Sequence, residues 1–146
     1  VIQRVDRACV SINRQVFSSI NEGILILLGV EKSDTEADAD YILEKAVNLR
    51  IFEDDQDKMN LSLLDTQGDM MVVSQFTLLG NCVKWRRPSF DAAEEPVQAC
   101  RLYDYFVRQA KTFIPGLATG KFQEMMKIDL INDGPVTIIL DSRKMF

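Results

Sequence analysis

The sequence predicts an α+β fold, a largely antiparallel, barrel-like sheet with two helices packed outside it. Three observations carry that expectation. About seven or eight β-patterned segments follow one another, most of them joined by short turns. Apolar residues recur at helical spacing in only two stretches, 35 to 48 and the segment after residue 96. The strands do not alternate regularly with helices, and neither G-x-G-x-x-G nor G-x-x-x-x-G-K-[ST] occurs, so a doubly wound nucleotide-binding sheet is not expected.

The elements follow in order. Ile2, Val5, Ala8, Val10 and Ile12 are interleaved with Gln3, Arg4, Arg7, Ser11 and Asn13, a half-buried strand, and Val16 to Ile20 reads as the next. After a turn at Asn21-Glu22-Gly23, Ile24 to Leu28 reads as a strand buried on both faces. Ser33 and Glu36 stand at capping-box spacing, and Ala39, Ile42, Ala46 and Leu49 then mark an amphipathic helix over 35–48. Leu49 to Glu53 returns to strand, 54–58 is a polar turn, and Leu61 to Leu64 is a short extended piece. Gln67-Gly68-Asp69 turns into Met70 to Leu79, the longest strand-like run. A loop over 80–96 precedes the second helix, whose apolar face carries Ala99, Leu102, Phe106, Ala110 and Phe113. Met126, Ile128 and Leu130 alternate with Lys127 and Asp129, and a turn at Asn132-Asp133-Gly134 leads to a last strand, Val136 to Leu140. No repeat or composition break divides residues 1–146, so a single domain is expected.

Composition narrows the chemistry. The 146 residues include no histidine, which removes Ser-His-Asp and Cys-His catalysis and every His-ligated metal site. Seventeen basic against 22 acidic residues give a net charge of −5, which excludes a strongly basic RNA-coating protein but leaves room for a local basic patch. Cys9, Cys82 and Cys100 form no CxxC pair and cannot all be bridged, as in a reduced, cytoplasmic protein. The longest apolar stretch, Ile24 to Val30, falls far short of the roughly 20 residues of a membrane span. No signal peptide is visible.

Most candidate clusters have a plain explanation. Asp54, Asp55 and Asp57 resemble the start of a calcium loop, but Asn60 stands where the sharp turn needs Gly, so a solvated turn is expected and no metal. Asp38 and Asp40 suit the dipole of the first helix. Cys82 is followed by Lys84, Arg86 and Arg87, yet it has no base partner in the sequence. Those cations flank Trp85, a mixture that suits a phosphate backbone and an unpaired base and equally a plain surface loop. Arg101, Arg108 and Lys111 share the polar face of the second helix and could extend a basic strip. Two segments place polar groups inside apolar strands, where an unpaired one costs about 1–3 kcal/mol. One is Ser74-Gln75-Phe76-Thr77-Leu78, in which alternation sets Ser74, Phe76 and Leu78 on one face. The other is Asn132-Asp133-Gly134-Pro135-Val136-Thr137, in which the proline breaks a long strand.

Those two segments resemble the signature motifs of the D-aminoacyl-tRNA deacylases, and the resemblance extends along essentially the whole chain. It takes in Val1-Ile2-Gln3-Arg4-Val5, Leu28-Gly29-Val30, Asn48-Leu49-Arg50-Ile51-Phe52, Arg87-Pro88-Ser89-Phe90 and Thr119-Gly120-Lys121-Phe122. A few residues usually precede the segment matching Val1 in that family. The chain departs from it at Asn81 to Trp85, where relatives often carry an Asp-Thr-Arg-Lys-Gly-like stretch, and at Met125. The resemblance implies the family's fold and a cytoplasmic, homodimeric tRNA-editing enzyme. Such an enzyme hydrolyses the ester between a D-amino acid, or glycine, and the terminal adenosine of tRNA. It implies that Gly134-Pro135 has a cis bond and reads chirality in the partner subunit's pocket. Ser74, Gln75, Phe76 and Thr77 would form the catalytic segment, with Ser74, Gln75 and Phe76 positioning the ester and adenosine, backbone N–H groups as oxyanion donors and Thr77 as the alternative nucleophile. Phe122, Met126 and Asn132 would line the substrate pocket. Lys84, Arg86 and Arg87 would contact the acceptor end. No cofactor, membrane or DNA partner is expected. A non-catalytic module that binds the tRNA acceptor end with the same fold is the alternative.

Overall fold

A computed structural model of the chain describes residues 1–84 and 86–145. Its order is β1 (Ile2–Ile12), β2 (Gln15–Ile20), β3 (Gly23–Leu28), α1 (Glu36–Asn48), β4 (Phe52–Glu53), β5 (Met59–Leu61), α2 (Leu63–Thr66), β6 (Asp69–Ser74), α3 (Pro96–Phe113), β7 (Ala118–Thr119) and β8 (Lys127–Ile138). The main sheet runs β2-β1-β3-β6-β7, with β8 added along the other edge of β1. β1 is antiparallel to β2, β3 and β8, whereas β3–β6 and β6–β7 are parallel. The Ser18 hydroxyl on β2 donates to the Thr119 carbonyl on β7 at 2.7 Å, so the two ends of the path meet and the sheet is nearly a barrel.

The strand alternation sorts apolar side chains into two cores. Ile2, Ile24, Ile26, Met70 and Val72 face the helices, against Leu43, Ala46 and Val47 of α1 and Tyr103, Phe106 and Ala110 of α3. Val5, Ala8, Val10, Leu25, Met71 and Val73 fill the barrel interior. Central strands β3 and β6 are therefore buried on both faces, as their unbroken apolar runs require.

Five local expectations are corrected. The strand starting at Met70 stops at Ser74, and Phe76–Leu79 is a 3-10 turn. Ser74 pairs with Leu28, the last residue of β3, and the Gln75 N–H bonds the Leu28 carbonyl before the ladder runs out. The piece over 61–64 is extended only at Leu61, where β5 ends, and enters α2 at Leu63, because Ser62 and Asp65 form a reciprocal capping box. α1 is capped by Thr35 and Asp38 rather than Ser33 and Glu36. Residues 49–53 are strand only at Phe52–Glu53, since the Ile51 N–H turns back to the Leu49 carbonyl. Asn132-Asp133-Gly134 does not end a strand either, because β8 runs through it.

Candidate active site

The second motif is a bulge. Val5 pairs with Asn132 and Gln3 with Thr137, so residues 133–136 of β8 stand opposite Arg4 alone. Asn132 ties its base: its amide donates to the Arg4 carbonyl and to the Val136 carbonyl, both at 2.9 Å. The Thr137 hydroxyl donates to Asn132 Oδ1 at 3.3 Å. Arg4 braces the bulge from behind. Its side chain shares the Ile2 face and is 6% exposed, against the expectation that it belongs to the polar face. Its guanidinium donates to the Ile51 carbonyl at 2.6 Å and lies 2.8 Å from Asp133 Oδ2 through Nε, an ion-pair contact without hydrogen-bond alignment. Gly134 has φ +110°, and a Cβ there would lie 2.9 Å from both Arg4 Nη2 and Val136 Cγ2. The Gly134–Pro135 bond is cis, and both residues are exposed.

The first motif leaves the sheet. Ser74 and Gln75 are half-buried, whereas Phe76 and Thr77 are exposed in the 3-10 turn. The Gln75 amide donates to the Thr77 hydroxyl. An amide is no base, so this contact orients Thr77 without activating it as a nucleophile. The first amide bonded within the turn is Leu78 N–H, to the Gln75 carbonyl at 3.3 Å. The amides of Phe76 and Thr77 thus have no partner inside the turn and can serve an oxyanion. Phe122 and Met126 sit beside β6, attached by the Gly120 N–H bond to the Val72 carbonyl. Phe122 stacks obliquely on Tyr103 with centroids 5.8 Å apart, and Met126 packs with the barrel interior. Tyr103 donates to that same Val72 carbonyl at 2.9 Å, and burial holds its hydroxyl well above the usual phenol range.

The two motifs do not meet within one chain. Arg4 is level with Ile24, and Ile24 with Met70, four residues before Ser74. The bulge and Ser74 are separated by three strand spacings, roughly 14 Å along the sheet, and by about 13 Å along the strands. Lys84, Arg86 and Arg87 are exposed on a loop closed at its base by two Asn81–Ser89 backbone bonds; Trp85 lies outside the described residues. Cys82 is exposed, and no cluster of three or more metal-ligating side chains occurs among the described residues. Asp54 accepts from Gln56, Lys58 and Asn60, as a solvated turn does.

The chain that carries this arrangement has relatives of matching length. The family described as D-Tyr-tRNA(Tyr) deacylase matches residues 1–141. The chain belongs to that family. A D-aminoacyl-tRNA deacylase of Syntrophus aciditrophicus is 56% identical over 146 residues, covering all of this chain and 98% of the relative. One from Thermosipho melanesiensis is 51% identical over 147 residues, with the same coverage. A solved structure titled c-Myc DNA Unwinding Element Binding Protein superposes with a TM-score of 0.89 at 38% identity, covering 94% of this chain and 93% of that one. A probable eukaryotic D-amino acid tRNA deacylase shares the fold at 15% identity, with a TM-score of 0.75 over 90% of this chain and 92% of the other. Deacylase-family membership therefore extends over the whole barrel and both motifs. Sequence reasoning missed Arg4, Asp133 and Phe90; strict alternation from Ile2 sets Arg4 on the apolar face, and that was the available signal.

Proposed function

We infer that the chain is a D-aminoacyl-tRNA deacylase that hydrolyses the ester joining a D-amino acid, or glycine, to the terminal adenosine of tRNA, releasing amino acid and tRNA. Full-length family membership supports the activity. The observation that carries the site is the separation of the two motifs, because a pocket that uses both is supplied by two copies. In this reading Gly134-Pro135 of one copy enters the partner's site and offers bare backbone to the α-carbon. An L side chain is excluded there, and glycine passes because it has none. β8 favours such pairing: it bonds only β1 among the described residues, and its apolar side chains, Ile128 and Leu130 against the barrel interior and Val136 and Ile138 against the helix-facing core, are only half-buried.

Ser74, Gln75 and Phe76 position the ester and adenosine, with Asn132, Phe122 and Met126 shaping the pocket. The amides of Phe76 and Thr77 stabilise the oxyanion as water attacks. The neighbouring ribose 2′-hydroxyl assists that water, since the chain holds no histidine to do so. Lys84, Arg86 and Arg87 bind acceptor-end phosphates. Three unbridged cysteines suit a reducing, cytoplasmic setting.

The test compares D- and L-aminoacyl-tRNA hydrolysis by the parent and by Ser74→Ala and Thr77→Ala, with sedimentation of the parent. Expected are multiple turnovers on the D substrate, measurable activity in both variants and a particle of about twice 16.6 kDa. Protection of D-aminoacyl-tRNA without turnover would make the chain a binding module. A trapped acyl-enzyme that disappears in Thr77→Ala would replace the water mechanism by covalent catalysis.

A further inference from the structure

The 3-10 turn of the first motif lies at the surface. The Leu78 N–H bonds the Gln75 carbonyl at 3.3 Å at its start and the Gly80 N–H bonds the Thr77 carbonyl at 3.1 Å at its end, and Phe76 is 57% exposed. A side chain from another segment meets the Phe76 ring. Phe90 approaches it edge-on, with centroids 5.0 Å apart and ring planes at 71°, a favourable T-shaped geometry.

Phe90 is itself well anchored. It follows Ser89, whose N–H and carbonyl both bond Asn81 at 3.0 and 2.7 Å. Its own carbonyl accepts from Ala93, and the Ala92 carbonyl and Glu94 N–H bond Lys32 and Val30. The ring is therefore carried by backbone hydrogen-bonded on both sides. Gly80 makes room for it: a Cβ there would lie 3.0 Å from Phe90 Cε1 and 3.1 Å from the Thr77 carbonyl oxygen. The φ of Gly80 is −69°, open to any residue, so space and not backbone freedom asks for glycine.

We propose that Phe90 is a positioning residue for the deacylation. Its ring fixes Phe76 and, through it, the amides of residues 76 and 77, while Gly80 keeps its seat open. The proposal rests on 74–77 being the reacting segment. It assigns no contact between Phe90 and substrate.

The test uses the full chain with D-aminoacyl-tRNA and with D-aminoacyl-adenosine, on Phe90→Leu, Phe90→Ala, Phe90→Tyr and Phe76→Leu, with melting followed by circular dichroism. Phe90→Leu and Phe90→Ala should lower kcat about three- to tenfold on both substrates, the size expected from removing one aromatic pair. KM for the tRNA should stay within about twofold, and Phe90→Tyr should restore kcat, a split that general loosening of the fold would not produce. Gly80→Ala should lower kcat in the parent and lower it less in Phe90→Ala, where the contact with the ring is gone and only that with the Thr77 carbonyl remains. Parent-like kcat in Phe90→Leu beside an impaired Phe76→Leu would overturn the role of Phe90 alone. Parent-like kcat in Phe76→Leu would overturn the assignment of the segment as well. A loss confined to KM, or one that Phe90→Tyr fails to restore, also overturns the proposal.

Discussion

Residues 74–80 leave the sheet where β3 runs out of partners, whereas residues 132–136 stay in β8 and bulge from it. Both present exposed backbone, yet different forces hold them. The bulge rests on polar groups behind it: the buried Arg4 guanidinium, Asp133 and the doubly donating Asn132 amide. The turn rests on its own 3-10 bonds, on Leu78 beside Gly29 and on the aromatic edge of Phe90. A segment braced by charge and hydrogen bonds is fixed in direction, because those interactions are directional and costly to leave unmade. A segment braced by ring packing tolerates small adjustment. Under the proposed function, that division suits a stereochemical gate that must not yield and a reaction centre that must close on an ester.

The largest effect should come from the gate's brace. Arg4→Leu removes the guanidinium between Asp133 and the Ile51 carbonyl and leaves that carbonyl without its donor. A shift of the bulge by about 1 Å should lower D-aminoacyl-tRNA hydrolysis about 10²-fold. The loss of stability should be about 1–3 kcal/mol, moderated because Asp133 is half in solvent. Denaturant unfolding together with single-turnover kinetics checks both. Undiminished turnover in a folded Arg4→Leu protein would mean that the bulge holds itself.

Gly134→Ala is a smaller change at the front of the same bulge. The added Cβ meets Arg4 Nη2 and Val136 Cγ2 at 2.9 Å, and φ +110° is strained for any L side chain. A destabilisation of about 1–2 kcal/mol is expected, with activity falling at least about tenfold. The corresponding small change at the turn, Thr77→Ala, should be milder, which is the asymmetry the comparison requires.

How far these regions were legible follows from what sets them. The alternation of β1, the apolar run of β3 and the 3.6-residue faces of α1 and α3 are local patterns, and they place the barrel and its helices. The end of β6 is not local: Phe76 to Leu79 reads as more strand, and only the length of β3, a partner distant in sequence, stops it at Ser74. The bulge was hidden for a similar reason. Asn132-Asp133-Gly134 has turn chemistry, and only pairing with β1 shows the strand continuing past it. The two motifs were visible as polar intrusions in apolar strands; the residues that support them, Arg4 and Phe90, came forward only through interactions across the fold.

The basic loop sharpens the comparison differently, since it touches neither brace. Replacing Lys84, Arg86 and Arg87 with alanine should raise KM for D-aminoacyl-tRNA and leave kcat on D-aminoacyl-adenosine unchanged. If the three cations neutralise phosphates, the slope of log affinity against log salt should flatten by roughly 0.7–0.9 for each phosphate left unneutralised. An unchanged slope would return the loop to plain surface.

The smallest effect is expected far from both motifs, at the start of α1, where it separates stability from activity. The Asp38 carboxylate accepts from the Thr35 hydroxyl and backbone N–H, both at 2.8 Å. Those bonds, led by the hydroxyl, with Ser142 and Arg143 adding to them, hold its pKa below the ordinary carboxylate value. A depressed folded pKa means that the unfolded chain takes up the proton first as pH falls. The cap's contribution is thus complete above the unfolded value of about 3.9 and disappears as pH drops through the lower folded one. Neighbouring Asp34 acts in the opposite sense, since burial raises its pKa despite Arg143. Subtracting the stability of Asp38→Asn from that of the parent removes the part of the Asp34 contribution that comes from its burial and leaves the cap together with the Asp34–Asp38 repulsion. That difference should be about 0.5–1 kcal/mol at pH 6 and should shrink towards zero as pH falls below about 4. Deacylation at pH 7 should be unchanged, because α1 supports neither the bulge nor the turn directly. A pH-independent difference would remove Asp38 from the cap, and abolished turnover at full stability would show that the two exposed segments are coupled through the helix layer.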